Sequence, residues 1–310
     1  MLYNNNREKE YIYIYIIRMY LKYLVLIVLI LIIFVLLREY SKEGFQDSPS
    51  ENKTVVELTN GTKVTTVYLE ITGDINFNII QNAGSSITKA NIKSINIGSD
   101  VTNIGRDTFS KCEALTSVTI PNSVTSIGKY AFSNCTSLPS VIIPNSVTNI
   151  GKYAFSNCEA LDWVSLPNSV TNIGIYAFSN CKALGSVTLP NSITSIGEYT
   201  FSNCTSLIWV PIPINVKNIG DYAFSNCTSL PSVTIPDSVT SIGKYAFSNC
   251  KALEGVIISH SVTSIGEYAF YNCTALEYIE FKNDTDSEKT IVLGSNVFEN
   301  VDTSKLTSLD

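Results

Sequence analysis

SVTIPNSVTSIGKYAFSNC, residues 117–135, decides the fold. In its first five residues Val118 and Ile120 alternate with Ser117 and Thr119, the period of a short β-strand with one face buried. Pro121 ends it, because proline cannot donate to a ladder. NSVTSIG then reads as a second short extended stretch with Val124 and Ile127 inward, and Gly128 is expected to supply a turn that other residues would strain. KYAFSNC closes the unit with Ala131, Phe132 and Cys135 about one turn apart, the spacing of a tight helical or 3-10 turn.

The unit repeats. Eight cysteines, Cys112 to Cys273, stand at uniform intervals of 23 residues. Columns running from Gly105 to Gly266, Phe109 to Phe270 and Leu115 to Leu276 keep the same step. A fixed period of this size marks a solenoid, in which one coil cannot bury its own apolar face and stacking does so. Strand spacing puts equivalent residues about 4.8 Å apart, so eight coils make a rod or arc about 40 Å long.

The unit C-x-x-L-x-x-V-x-I-P-x-S-V-T-x-I-G-x-x-A-F-x-x-C resembles the BspA-like (Treponema pallidum type) leucine-rich repeat over about residues 92–302. The resemblance implies a β-rich solenoid: a right-handed arc with a parallel sheet on its concave face and short turns or 3-10 segments on its convex side. It also implies surface or secreted proteins with roles in adhesion. It transfers no partner, because the columns that match are the packing ones.

Both ends depart from the pattern. Ile92, Ile95, Ile97, Val101 and Ile104 fit the register, but Gly98 replaces the proline. At the far end FKNDTDSEK inserts five residues; Leu293, Gly294 and Phe298 then resume, with Val301 in the cysteine column. Atypical terminal units are expected where an open core is capped. Upstream, Asn60-Gly61 lies between alternating runs, a hairpin signal, and residues 54–91 read as a small β cap. The repeats then occupy 92–281, and 282–310 a partial repeat and cap.

Residues 23–37, YLVLIVLILIIFVLL, carry no charge, and extension to Met19 gives a span of nineteen broken only by Lys22. At 1.5 Å per residue it reaches about 28 Å, close to a bilayer's hydrocarbon core. Tyr11, Tyr13, Tyr15, Tyr20 and Tyr23 suit an interfacial belt, and no small-x-small cleavage site follows. The reading is one retained transmembrane helix at 19–37 between a cytoplasmic tail, 1–18, and a polar linker, 38–53. A cleaved signal or a buried core helix are the alternatives. Arg7, Lys9, Arg18 and Lys22 before the span, against Arg38 and Lys42 after it, favour the N-terminus inside and the repeats outside.

The chain of 310 residues is 45% hydrophobic with a formal charge of −6, which argues against nucleic acid as a partner. The cysteines allow three readings. A metal site lacks CxxC pairs; disulfides between parallel coils need Cβ atoms about 3.8 Å apart, closer than strand spacing; buried thiols fit without strain. His260, the one histidine, falls in a turn column held by Asn122, Asn145, Asn168 and Asn191, and reads as a solvated turn residue. No acid pair or phosphate loop stands out, so neither a catalytic residue nor a cofactor is assigned.

The variable columns of the first strand carry the candidate site. The column of Ser117 contains Trp163, Trp209 and Tyr278; that of Thr119 contains Ile142 and Ile257. Exposed aromatics there could bind a protein or a glycan, or could simply lie over neighbouring strands. Asn52, Asn60 and Asn283 are sequons outside the strict coils, where a host glycosylates. The expectation is a membrane-anchored, non-catalytic surface protein that recognises protein or glycan through its concave face. Two others stand beside it: a self-associating spacer, and a hydrolase without a recognisable site.

Overall fold

The computed structural model describes residues 52–59, 63–84, 87–282 and 291–302. Strand β1 (Lys53–Thr59) pairs antiparallel with β2 (Val64–Glu70), Val56 opposite Val67. The tip of this hairpin, residues 60–62, lies outside the described residues. The other edge of β1 pairs antiparallel with β4 (Ile92–Asn96), so the hairpin covers the first coil. Between them come β3 (Gly73–Ile75), a short helix α1 (Phe77–Asn82) and a 3-10 turn, Lys89–Asn91. The helix was not legible in the β pattern. Asn76 caps it by accepting from the Ile79 N–H at 3.2 Å, and Ile80 is buried beneath it.

From β4 onward the chain is a β-solenoid of about eight turns, each coil contributing to three faces. On the first, strands such as Ser117–Thr119, Trp163–Ser165 and Ser232–Ile235 lie parallel to their equivalents one coil away. This sheet is interrupted: Ser140 and Trp209 are joined to their neighbours by single bridges. Pro211 explains the second break, since it brings no N–H to the ladder. On the second face, two-residue strands follow β3 and β5 (Val101–Ile104) in strict register, Ser126 opposite Asn149 and Ile127 opposite Ile150. This sheet also has one seam. Asn172–Ile173 ends the first run and Ser195–Ile196 begins the next. There Ile175 occupies the column held by Lys129 and Lys152 in earlier coils, and its Cγ2 faces Gly197.

The third face differs from expectation. KYAFSNC forms successive turns, with neither a helix nor a 3-10 segment. Tyr130 and Asn134 both have positive φ, 59° and 61°, and the same two columns do so in every coil to Tyr268 and Asn272. A left-handed residue at every fourth position cannot continue a right-handed turn. The alternating conformations divide the amides instead. Ser133 and Cys135 N–H donate three residues back, to Tyr130 and Phe132 carbonyls. Tyr130, Phe132 and Asn134 N–H donate across to Lys152, Ala154 and Ser156 carbonyls at 3.0, 2.7 and 2.8 Å. The turns therefore hydrogen-bond coil to coil as the strands do, and no buried side-chain polar atom among the described residues is left unsatisfied.

Between the faces lies one core. Phe109 to Phe270 are fully buried, as are the cysteine and leucine columns, the leucines to within 2%. The phenylalanine rings stack at centroid distances of 5.2–5.6 Å, and Phe298 extends the stack beyond the insertion. Burying each such ring contributes about 1.5–3 kcal/mol, and each stacked pair about 0.5–1.5 more.

The glycine column has another cause than the one expected. Of the described glycines only Gly73 has positive φ, 69°. A Cβ on Gly128 would lie 2.7 Å from the Gly105 carbonyl carbon, and one on Gly151 would lie 2.6 Å from that of Gly128. Along most of the column the residue is glycine because the backbones of adjacent coils meet there; at Gly197 the nearest atoms are instead the Ile175 and Thr200 side chains.

Candidate functional site

The first face carries the residues singled out in the variable columns. Trp163 and Trp209 are each 41% exposed. Ser186 lies between them, paired with Trp163 and bridged to Trp209, so all three form one row across the coils. Ile142, 61% exposed, stands in the coil before Trp163 and in the neighbouring outward column. Ile208, 54% exposed, directly precedes Trp209, and Ile214, 70% exposed, lies beyond it in the turn column of Asn122. The run IWVPIPI, 208–214, departs from the repeat wherever a polar residue is usual, and that departure is the signal that could have found them.

Tyr278 and Ile257 do not join this group. Both are half-buried. The Tyr278 ring occupies the space that a Cβ on Gly255 would need, in the strand paired beside it. Its column therefore serves two purposes: indole exposed to solvent at Trp163 and Trp209, and a phenol laid over a glycine at Tyr278.

The cysteines form a buried file of free thiols. Cys135 Sγ donates to the Phe109 carbonyl at 3.1 Å, and each later thiol repeats the contact with the phenylalanine 26 residues earlier, to Cys273 and Phe247 at 3.2 Å. Burial pushes the thiols from Cys112 to Cys250 up, Cys112 to about 12, so they stand neutral near pH 7. Among the described residues no three His, Cys, Asp or Glu side chains group to hold a metal ion.

His260 is half-buried, where a solvated turn residue was expected. It follows Ser259, a fully buried serine in the proline column whose hydroxyl donates to Asp237 Oδ1 at 2.7 Å. That bond, then Lys282 and His260, hold the Asp237 carboxyl below the usual range. The serine hydroxyl meets the carboxylate directly, with no imidazole between them, so this cluster does not have the connectivity of a nucleophile–base relay. Asn52 is exposed and accepts from Ser99 Oγ at 2.9 Å; Asn60 and Asn283 lie outside the described residues. So do the apolar span 19–37, the tail and most of the linker. Among the described residues no helix is long and apolar enough to cross a membrane.

The third face holds a feature that the columns chosen from sequence missed. Tyrosine recurs at every twenty-third residue from Tyr130 to Tyr268, and the rings stack at 4.3–4.8 Å and within 15° of parallel. Beside them the buried serines from Ser179 to Ser248 form a floor, and Asn180 to Asn249 a facing wall. Together they line a trough of about 440 Å³.

The model of the BspA type leucine rich repeat region matches residues 85–208 and 199–310, with six copies. A leucine-rich repeat protein of Bacteroides ovatus is 28% identical over 83% of this chain and 69% of its own, with a TM-score of 0.65. A leucine rich cell surface protein of Faecalibacterium prausnitzii is 33% identical over 65% of this chain and 63% of its own, TM-score 0.46. The leucine rich repeat protein of T. pallidum is 24% identical over 67% and 91%, TM-score 0.44. No curated protein matches the sequence.

Proposed function

The chain belongs to the BspA-type leucine-rich repeat family, and from that premise we propose that it is a non-catalytic recognition protein, displayed outside a membrane, that binds a protein or glycan of another surface through its first face. The observation that carries this reading is the exposed row Trp163–Ser186–Trp209, flanked by Ile142 and Ile208. The core columns need none of these large apolar residues, because other coils place serine or threonine at the positions of Trp163, Trp209 and Ile142, and threonine, proline, glycine or an acid at that of Ile208. Exposed indoles on a rigid strand row lose little conformational freedom on binding and offer a large contact area. A rigid stack also fixes their spacing before a partner arrives, which lowers the ordering cost of association.

The apolar span 19–37 supports the anchor, and the four-to-two bias of basic residues around it supports repeats on the outer side. Residues 38–310 carry a net charge of −8 by composition, so the outer part would meet anionic surfaces through local contacts rather than through general attraction.

The test uses the full chain in detergent micelles against immobilised extracellular-matrix proteins and cell-surface glycans, beside Trp163→Ala/Trp209→Ala. Saturable binding that weakens at least tenfold in the double variant supports the reading. Binding that survives both substitutions moves the site elsewhere, and absence of binding with self-association in light scattering makes the solenoid a spacer.

A further inference from the structure

The trough on the third face combines three properties that point to one class of ligand. First, its lining is neutral. Tyrosine, serine and asparagine supply every wall, and the lysines that lie over tyrosine rings, Lys129 and Lys152, belong to the coils before it begins at Tyr176. Second, its polar groups repeat along a line. The rings of Tyr176, Tyr199, Tyr222 and Tyr245 succeed one another at 4.3, 4.5 and 4.8 Å. Their faces are taken up by each other, so what they turn toward the trough is ring edge and hydroxyl. Their hydroxyls therefore form a row of oxygens, each able to accept and to donate. Opposite, no hydrogen bond among the described residues engages the side-chain amides of Asn180 and Asn203. Third, the lining changes at one end. Tyr271 takes the place of the serine of earlier coils and stands at 82° to Tyr268, outside the parallel stack.

We propose that this trough binds a neutral, unbranched polysaccharide laid along the stack of coils. Its volume falls in the range of ligand sites. An extended peptide advances about 3.3 Å per residue, or 3.1 Å as polyproline II, and so drifts out of step with groups set 4.3–4.8 Å apart. A pyranose chain joined across opposite ring carbons advances close to one coil per sugar, and each sugar offers hydroxyl donors to the phenol row and acceptors to the amides. Its apolar C–H edges meet the tyrosine ring edges. A charged polymer would bring ions to a lining of tyrosine, serine and asparagine, beside which the Lys244 ammonium is already paired with Glu267 at 2.8 Å.

The experiment is calorimetric titration of the full chain in micelles with cellohexaose and maltohexaose, beside a hexamer of galacturonate and a Pro-rich decapeptide. Two variants block the trough with residues that the same columns already accept: Ser225→Tyr, as at Tyr271, and Asn226→Lys, as at Lys111, whose φ is 62°. Equal thermal midpoints establish that a variant is folded, and either one suffices. One neutral hexaose binding saturably, at least tenfold more weakly in the folded variant and unchanged in Trp163→Ala/Trp209→Ala, is the expected result. Failure of both neutral hexaoses, equal or tighter binding of the galacturonate or the peptide, or binding lost with the tryptophans instead, overturns the proposal. Because the tryptophan variant reads the first face alone, the two sites stand or fall separately.

Discussion

Three glycine-to-alanine substitutions separate close approach from turn geometry. In Gly151→Ala the new Cβ lies 2.6 Å from the Gly128 carbonyl carbon and the Lys129 nitrogen, both backbone atoms of the preceding coil. In Gly197→Ala it lies 3.2 Å from Ile175 Cγ2 and 3.3 Å from Thr200 Oγ1, side chains that can yield. In Gly185→Ala its nearest neighbour is 3.9 Å away. None of the three has positive φ, so each alanine gains about 0.4–1 kcal/mol by restricting the unfolded chain. Forcing extra volume into packed backbone costs about 1–3 kcal/mol. The expected order is therefore Gly185→Ala slightly above the parent, Gly197→Ala near it, and Gly151→Ala lower by about 1 kcal/mol. Thermal denaturation by circular dichroism gives the order. Hydrogen exchange at residue 151, whose N–H donates to the Ile127 carbonyl at 2.8 Å, gives the local effect, which matters because long repeat arrays need not unfold in two states. Equal loss at 151 and 185 would refute the argument and return the column to turn strain.

Other consequences are sharper in sign than in size. All eight thiols are expected to resist maleimide at pH 8 in the folded chain and to react in urea without reductant; fewer than eight then would mean disulfides. The folded pKa values of Cys112 to Cys250 lie above the unfolded value near 9, so the stability they contribute is present below that pH and lost as pH rises through and beyond it, and alkaline melts of Cys204→Ala should lose stability less steeply than the parent. Gly255→Ala should destabilise by about 1–3 kcal/mol by displacing the Tyr278 ring, and Tyr278→Ala should relieve most of that in a double-mutant cycle; additive effects would mean that the ring does not lie there.

The repeat was legible because its signal is periodic and its cause is local. Phenylalanine, leucine and cysteine at a fixed step have to face one core, and they do. What sequence could not show was why a column is constant. Glycine suggested a turn and proved to be a close approach, since constancy alone does not separate a dihedral requirement from a missing volume. The turn itself was misread because alanine, phenylalanine and cysteine suit a helix, while tyrosine and asparagine beside them adopt left-handed φ that only coil-to-coil hydrogen bonds make worthwhile. The tyrosine column keeps the same step as the cysteines, but a constant column reads as packing and only the variable columns read as partner-facing. Trp163 and Trp209 are exposed as their column suggested; Tyr278 is not free, because the residue that decides its position, Gly255, lies 23 places earlier.

From β5 to Ser264–Ile265 the partners in the second sheet stand 23 residues apart, and this sameness has a cost during assembly. A coil that meets the coil after next instead of its neighbour finds the same glycine, phenylalanine and cysteine waiting, so a chain folding at several points at once can skip or share a coil and still build sound local structure. Location has to be written in the exceptions: the hairpin that fits only β4, the proline at 211, the seam at Ile175, and the serine at 259 that needs the aspartate at 237. These irregular residues act as addresses, and erasing them toward the consensus should yield a more stable protein that more often folds to the wrong length.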